Sequence, residues 1–178
     1  MPVTSNSKVT SRDRVRAALQ HVESDRVPID LSGHRSSGIA AIAYTKLRRH
    51  LGLPSRVPRV YDPLQQLAIV DEDVLERFAV DTIELGRAFA LEDRHWQEWV
   101  LPDGTPCLLP AWIQVRREEH RWVIVSPQGR VIAHMPDGVL YFEQTWWPFL
   151  EKDDLDHVQD YLQESMWTGV ASPPGPLV

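Results

Sequence analysis

Apolar residues repeat at three and four positions over 11–22, where Val15, Ala18, Leu19 and Val22 fall on one helical face. Ser11 is placed to cap the start, and Arg12, Arg14 and Arg16 are expected to face water. The period then drops to two. In Val27-Pro28-Ile29-Asp30-Leu31 the apolar side chains share one side and Asp30 faces the other, which predicts a strand over 27–31 after Asp25 and Pro28 end the helix. A polar turn follows at 33–38, where His34, Arg35, Ser36 and Ser37 lie between two glycines. The helical period returns over 39–51, with Gly52 as its C-terminal cap and Pro54 and Pro58 in the loop beyond. Leu64, Leu67, Ala68 and Ile69 predict more helix after Asp62. A short helix holding Val74, Leu75 and Phe78 has Asp71 or Asp73 as its cap and Arg77 near its end, where a cation suits the helix dipole. A second strand over 80–86 extends the alternation of helix and strand, the mark of an α/β layer.

From Glu92 the pattern changes. Trp96, Trp99, Trp112 and Trp122 are spread through short alternating runs. Turn signals separate the runs at Pro102-Asp103-Gly104, Ser126-Pro127-Gln128-Gly129 and Pro136-Asp137-Gly138. This predicts antiparallel hairpins, among them a strand pair over 120–125 and 129–133. Asp153 or Asp154 is expected to open a last helix through Leu162. The stretch Ser172-Pro173-Pro174-Gly175-Pro176 has linker composition, and the apolar pair Leu177-Val178 after it reads as an interrupted end. There is no internal repeat.

The 178 residues suit one domain with a sizeable core, and fall short of the roughly 250 residues of a complete (βα)8 barrel. A formal charge of -6 argues against a nucleic-acid or anionic-membrane partner. The basic run Lys46-Leu47-Arg48-Arg49-His50 reads as a solvated helix face, with an anion site as the alternative. The single cysteine, Cys107, leaves no internal disulfide and no Cys-rich zinc site. Between Pro106 and Leu108 it reads as a small buried residue. No apolar run approaches the roughly 20 residues of a membrane span. The first residues have no signal-peptide core, so the expectation is a cytoplasmic chain with a disordered lead over 1–10.

Four residues are substrate-binding candidates. Asp30, His34 and Arg35 gather at the end of the first predicted strand, where α/β proteins place their chemistry. Arginine offers paired donors to a planar carboxylate, and histidine titrates near neutrality. The bland alternative is a polar surface turn capped by Asp30. Glu84 lies near the end of the second predicted strand, with a loop salt bridge as its alternative. Asp81 and Glu84 are three apart and face opposite ways on a strand, so they are no glycosidase-type carboxylate pair. No residue is marked as catalytic. His95, His120, His134 and His157 lack the helical spacing of a zinc site, and there is neither a phosphate loop nor a Gly-x-Ser-x-Gly elbow. Trp146-Trp147-Pro148-Phe149 is the densest aromatic patch and a candidate partner surface.

Several phrases resemble the uroporphyrinogen decarboxylase superfamily, nearest to its branch of corrinoid-dependent methyltransferases. They are Arg12-Asp13-Arg14-Val15, Asp25-Arg26-Val27-Pro28-Ile29-Asp30, Ala43-Tyr44-Thr45-Lys46-Leu47, Tyr61-Asp62-Pro63-Leu64-Gln65-Gln66-Leu67-Ala68, Val74-Leu75-Glu76-Arg77-Phe78-Ala79-Val80-Asp81-Thr82 and Trp147-Pro148-Phe149-Leu150. The resemblance implies the N-terminal part of a (βα)8 TIM barrel with an antiparallel β insert. On that reading 11–91 holds the first helices and two barrel strands, 92–145 the insert, 146–171 a linker and helix, and 172–178 a Pro-rich tail. It implies a methylcobamide:thiol methyltransferase, with zinc held by later His and Cys ligands and a corrinoid as methyl donor. Porphyrinogen decarboxylation is the first alternative. It is weakened because Ser32-Gly33-His34-Arg35-Ser36-Ser37-Gly38 stands where decarboxylases have an Arg-Gln-Ala-Gly-Arg motif, and only Arg35 is comparable. The second alternative is a non-catalytic subunit. The partners expected are a second copy, a chain carrying the complementary half-barrel, or a corrinoid protein.

Overall fold

The computed structural model describes residues 8–86, 92–150, 156–166 and 170. In chain order the elements are α1 (Ser11–Leu19), α2 (Ala41–His50), β1 (Val60–Asp62), β2 (Leu67–Ala68), α3 (Glu72–Arg77), β3 (Trp96–Val100), β4 (Pro106–Pro110), β5 (Gln114–Glu118), β6 (Arg121–Val125), β7 (Val131–Pro136), β8 (Glu143–Gln144) and α4 (Val158–Glu164). They fall into two compact units. One comprises Met1–Gly38 and Val70–Glu84, the other Ile39–Ile69 and Leu85–Val178.

In the first unit α1 is capped by Thr10, one residue before the expected Ser11. The Thr10 hydroxyl accepts the Asp13 N–H at 3.2 Å while the Asp13 carboxylate accepts the Thr10 N–H at 3.1 Å, a reciprocal capping box. The side of α1 turned inward carries Arg14, not the apolar stripe. Arg14 is 9% exposed, whereas Leu19 is 77% and Val22 58% exposed. The reason is electrostatic. Arg14 grips both oxygens of Asp25, at 2.7 and 2.8 Å, and reaches Asp81 at 3.1 Å. α3 buries Val74, and the chain leaves it through Ala79 at φ +50°.

The predicted strands 27–31 and 80–86 do not form. The two segments carry no regular secondary structure and share one backbone hydrogen bond, from Asp81 N to Ile29 O at 2.8 Å. The Asp81 carboxylate takes the place of a ladder. It accepts the Ile29 N–H at 2.9 Å and both guanidinium arms of Arg26, at 2.6 and 3.0 Å. The apolar side chains that were to face a barrel layer stay outside it: Val27 is 80% and Ile83 68% exposed.

In the second unit α2 ends on Gly52, which adopts φ +68°, with Leu53 N bonded to Arg48 O at 3.0 Å and Gly52 N to Arg49 O at 3.1 Å. This is a Schellman closure, in which the left-handed residue satisfies two carbonyls and favours glycine. The segment after Asp62, expected to be helical, is instead the turn of the β1–β2 hairpin. The Asp62 carboxylate accepts the N–H groups of Leu64 at 3.0 Å and Gln65 at 3.1 Å, so the side chain offers the backbone an alternative to helix. β3 and β4 pair antiparallel with Trp96 opposite Pro110. β5, β6, β7 and β8 form an antiparallel sheet in sequence order. Its central turn places Ser126 N on Arg130 O at 2.8 Å. Leu64, Ile113, Ile124, Ile132, Met135 and Phe142 form the core of this unit, with Trp99 set edge-on to Trp122.

Among the described residues the sheets have two, two and four strands, every named strand pair is antiparallel, and none closes on itself. The fold is therefore a mixed α/β arrangement with small open sheets. It is not a TIM barrel or the first part of one, because the two segments meant to start the parallel layer are joined through side chains rather than a ladder. The starting residues of the expected last helix, 153 and 154, the first seven residues of the lead and the tail 172–178 lie outside the described residues. Among the described residues no helix is long and apolar enough to cross a membrane.

Candidate functional site

The residues 30–38 fold back on themselves and meet Thr82, all within the first unit. Asp30 is the centre. Its Oδ1 accepts the Gly33 N–H at 2.8 Å and the Thr82 hydroxyl at 2.7 Å. The Thr82 hydroxyl is the main reason the Asp30 carboxyl sits below the usual carboxylate range, with Ser37, the Gly33 N–H and His34 acting in the same direction against the cost of burial. Asp30 is thus an ionised strut. Gly33 is required by close approach, since a Cβ there would overlap both Asp30 Oδ1 and Thr82 Oγ1.

Around this strut the chain makes a single 3-10 turn at Arg35–Ser37. Ser32 N bonds Ser37 O at 3.0 Å, Ser37 N bonds His34 O at 2.9 Å, and the His34 N–H rests on the Ser37 hydroxyl at 3.2 Å. The Ser36 N–H points at His34 Nδ1 from 3.2 Å. A backbone N–H can only donate, so Nδ1 is the acceptor and the neutral ring carries its proton on Nε2. The exposed imidazole therefore presents a donor outward. Ser32 is 4% exposed and left-handed at φ +63°, and its hydroxyl has no hydrogen-bond partner among the described residues. A buried, unsatisfied hydroxyl on a strained non-glycine residue is costly and marks a place where an acceptor is wanted.

The structure thus brings Asp30, His34 and Arg35 together. Arg35 is half-buried and already engaged in an interaction, so it is not a bare cation. Glu84 is half-buried two residues beyond Thr82 and stands outside the Asp30 network. Ser32, Gly33 and Thr82 were not singled out from the sequence. Gly33 carried a usable signal, a glycine three residues after a turn aspartate. Thr82 carried none, because its partner lies 52 positions away.

The Arg14–Asp25–Arg26–Asp81 network fixes the neighbouring segments. Asp81 has no exposed side-chain surface. Burial works against its charge, yet the Ile29 N–H, Arg26, Ser11 and Arg14 together hold its carboxyl well below the ordinary range. Asp25 is lowered to about 2, chiefly by its bond to Arg14. These groups are saturated with partners and serve structure rather than chemistry.

The residues present do not fit the zinc that the resemblance implies. Among the described residues no group of three His, Cys, Asp or Glu side chains could hold a metal ion. The Cys107 thiol is 1% exposed and pushed up to about 12 by burial, so it is no ready thiolate. A hollow of about 500 Å³ lies in the other unit, lined by Glu118, Glu119, His120, Arg121, His134 and Pro136. Its Glu118 is neutralised by Arg116 and Arg121 at 3.0 and 2.8 Å. What the 30–38 loop offers a ligand is the outward Nε2–H of the exposed His34, whose Nδ1 also lies 3.1 Å from the Ser36 hydroxyl; the Ser32 hydroxyl is closed off from solvent. Compared with known proteins, the chain matches no family model, no curated protein and no solved structure, so the superfamily resemblance rests on the quoted residues alone.

Proposed function

We propose that the chain is a substrate-binding portion of a methylcobamide:thiol methyltransferase-like protein, built on open sheets rather than a barrel start, in which the 30–38 loop binds the substrate while zinc and corrinoid are held by residues elsewhere. The observation that carries this reading is the exposed His34 ring, whose Nδ1 accepts the Ser36 N–H so that its outward nitrogen is a donor. Such a donor suits an acceptor such as the carboxylate of a thiol acid. Supporting it, three phrases quoted for the resemblance supply Arg14, Asp25, Arg26 and Asp81, and these four side chains form one ion network. The division of labour follows from chemistry: a zinc-bound thiolate stays ionised at neutral pH, and the described residues provide no such zinc site.

The test is an NMR titration of the chain with 3-mercaptopropionate. The expected result is a saturable shift of the amides of 32–38 and Thr82, abolished in His34→Ala. Unchanged amides there would remove the substrate assignment. In parallel, the chain mixed with methylcobalamin, zinc and the same thiol is expected not to demethylate the cobalamin. Turnover by the chain alone would show that it carries its own catalytic centre.

A further inference from the structure

We infer that His34 is a proton-operated latch on the 30–38 loop, which is closed while the ring is neutral and opens when Nδ1 takes up a proton. The latch is the cap of the Arg35–Ser37 turn. His34 Nδ1 accepts the Ser36 N–H at 3.2 Å and lies 3.1 Å from the Ser36 hydroxyl. The lone pair on Nδ1 is therefore part of the closed structure. A proton there turns the acceptor into a donor facing a backbone N–H, and two donors cannot bond. The Ser36 hydroxyl can receive the new Nδ1–H by turning its own proton away, but the Ser36 N–H is then left without its cap. His34 is exposed, so water delivers the proton without prior movement of the chain.

The closed loop is also held against a load. Ser32 sits at φ +63°, is 4% exposed and has an unbonded hydroxyl among the described residues. Opening lets its backbone leave the left-handed region and lets water reach the hydroxyl, which offsets part of the bonds lost. Those bonds are Ser32 N to Ser37 O and Ser37 N to His34 O. The charges nearest the ring are Asp30, whose carboxylate interacts with His34, and Arg35, its neighbour in the turn. From the packed 80–84 segment, the neutral Thr82 hydroxyl bonds Asp30, and Asp81 faces Arg14 and Arg26. Asp30 is held ionised well below the range in which histidine ordinarily changes charge, so His34 is the group of the loop that titrates there. The closed loop carries one proton fewer than the open one. Closure is therefore complete at high pH and is lost as pH falls through that range. This holds whether or not the loop takes a thiol acid.

The test is NMR of the full chain without added ligand, from about pH 8 to about pH 5. The ring nitrogen shifts are expected to show Nδ1 unprotonated at the upper end. As the ring becomes charged the Ser36 amide should move with it. The protection of the Ser32 and Ser37 amides against exchange should fall by up to about tenfold per pH unit, the slope of one linked proton. His34→Asn keeps a side-chain oxygen for the Ser36 N–H and cannot titrate, so its loop should stay closed throughout. Ser32→Gly removes the load and should move the opening to lower pH. Protection that stays unchanged at Ser32 and Ser37 while His34 titrates would overturn the inference. An Nδ1–H tautomer at the upper end of the range, or the same pH dependence in His34→Asn, would overturn it equally.

Discussion

Asp81 reads in the sequence as the start of a strand and in the structure as the most heavily used carboxylate of its unit. Nothing in a period-two pattern marks such a role. It arises because Arg14, Arg26 and the Ile29 N–H, all more than 50 positions away, converge on one side chain. Asp81→Ala should therefore destabilise the chain by roughly 3 kcal/mol, since it leaves two guanidinium groups facing an empty place in a buried setting. Urea denaturation followed at the amides of residues 9–31 measures it, and a loss under about 1 kcal/mol would count against the network as the unit's anchor. Gly33 gives the companion prediction. Gly33→Ala should raise the Asp30 pKa by separating the carboxylate from Thr82, read from the Asp30 carboxyl carbon shift across pH. Asp30, His34 and Arg35 were legible as a cluster because they are sequence neighbours. The hydroxyl that completes it, and the buried Ser32, depend on how the loop folds back.

At the scale of elements, helices were legible where their stop signals are local, and strands where turns separate them. α2 ends where Gly52 requires it, and β6 and β7 flank the Ser126–Arg130 turn as the alternation of apolar residues foretells. The errors have one physical form, in which a side chain replaces a backbone partner. Asp62 turns an apolar run into a hairpin, and Asp81 stands in for a ladder. The exposed apolar face of α1 failed for a related reason, because Arg14 found two carboxylates and turned inward. Two substitutions separate these causes. Gly52→Ala should cost about 1 kcal/mol, the penalty of a Cβ in a left-handed cap. Asp62→Ala should loosen the 63–66 turn, visible as faster amide exchange at Leu64 and Gln65. Unchanged protection at both amides would mean that the hairpin does not need the carboxylate.

The two units are stabilised by different physics, and this fixes how the whole molecule responds to acid. One is held by ionised carboxylates among arginines, the other by a core of Leu64, Ile113, Ile124, Ile132, Met135 and Phe142. In the first, Asp25 falls from 3.8 to about 2 on folding, and Asp30 and Asp81 shift in the same direction. A carboxyl whose pKa is lower in the folded chain binds protons more readily when unfolded. The stability it contributes is complete above 3.8 and disappears as pH falls through about 2. The apolar core has no such term; the lowered carboxylates of the second unit, Glu118 and Asp137, pair with arginines at solvent-facing positions outside that core. All seven tryptophans lie beyond residue 95, in the second unit, and so report on it alone. Between pH 4 and 2 the amide signals of 9–31 and 80–83 are therefore expected to collapse while tryptophan fluorescence keeps its native maximum. Added salt should shift the first transition towards higher pH by screening the arginine–aspartate pairs, most of all the half-exposed Asp25, and leave the fluorescence unchanged. A single transition seen at once by both probes would show that the ion network and the apolar core stand or fall together.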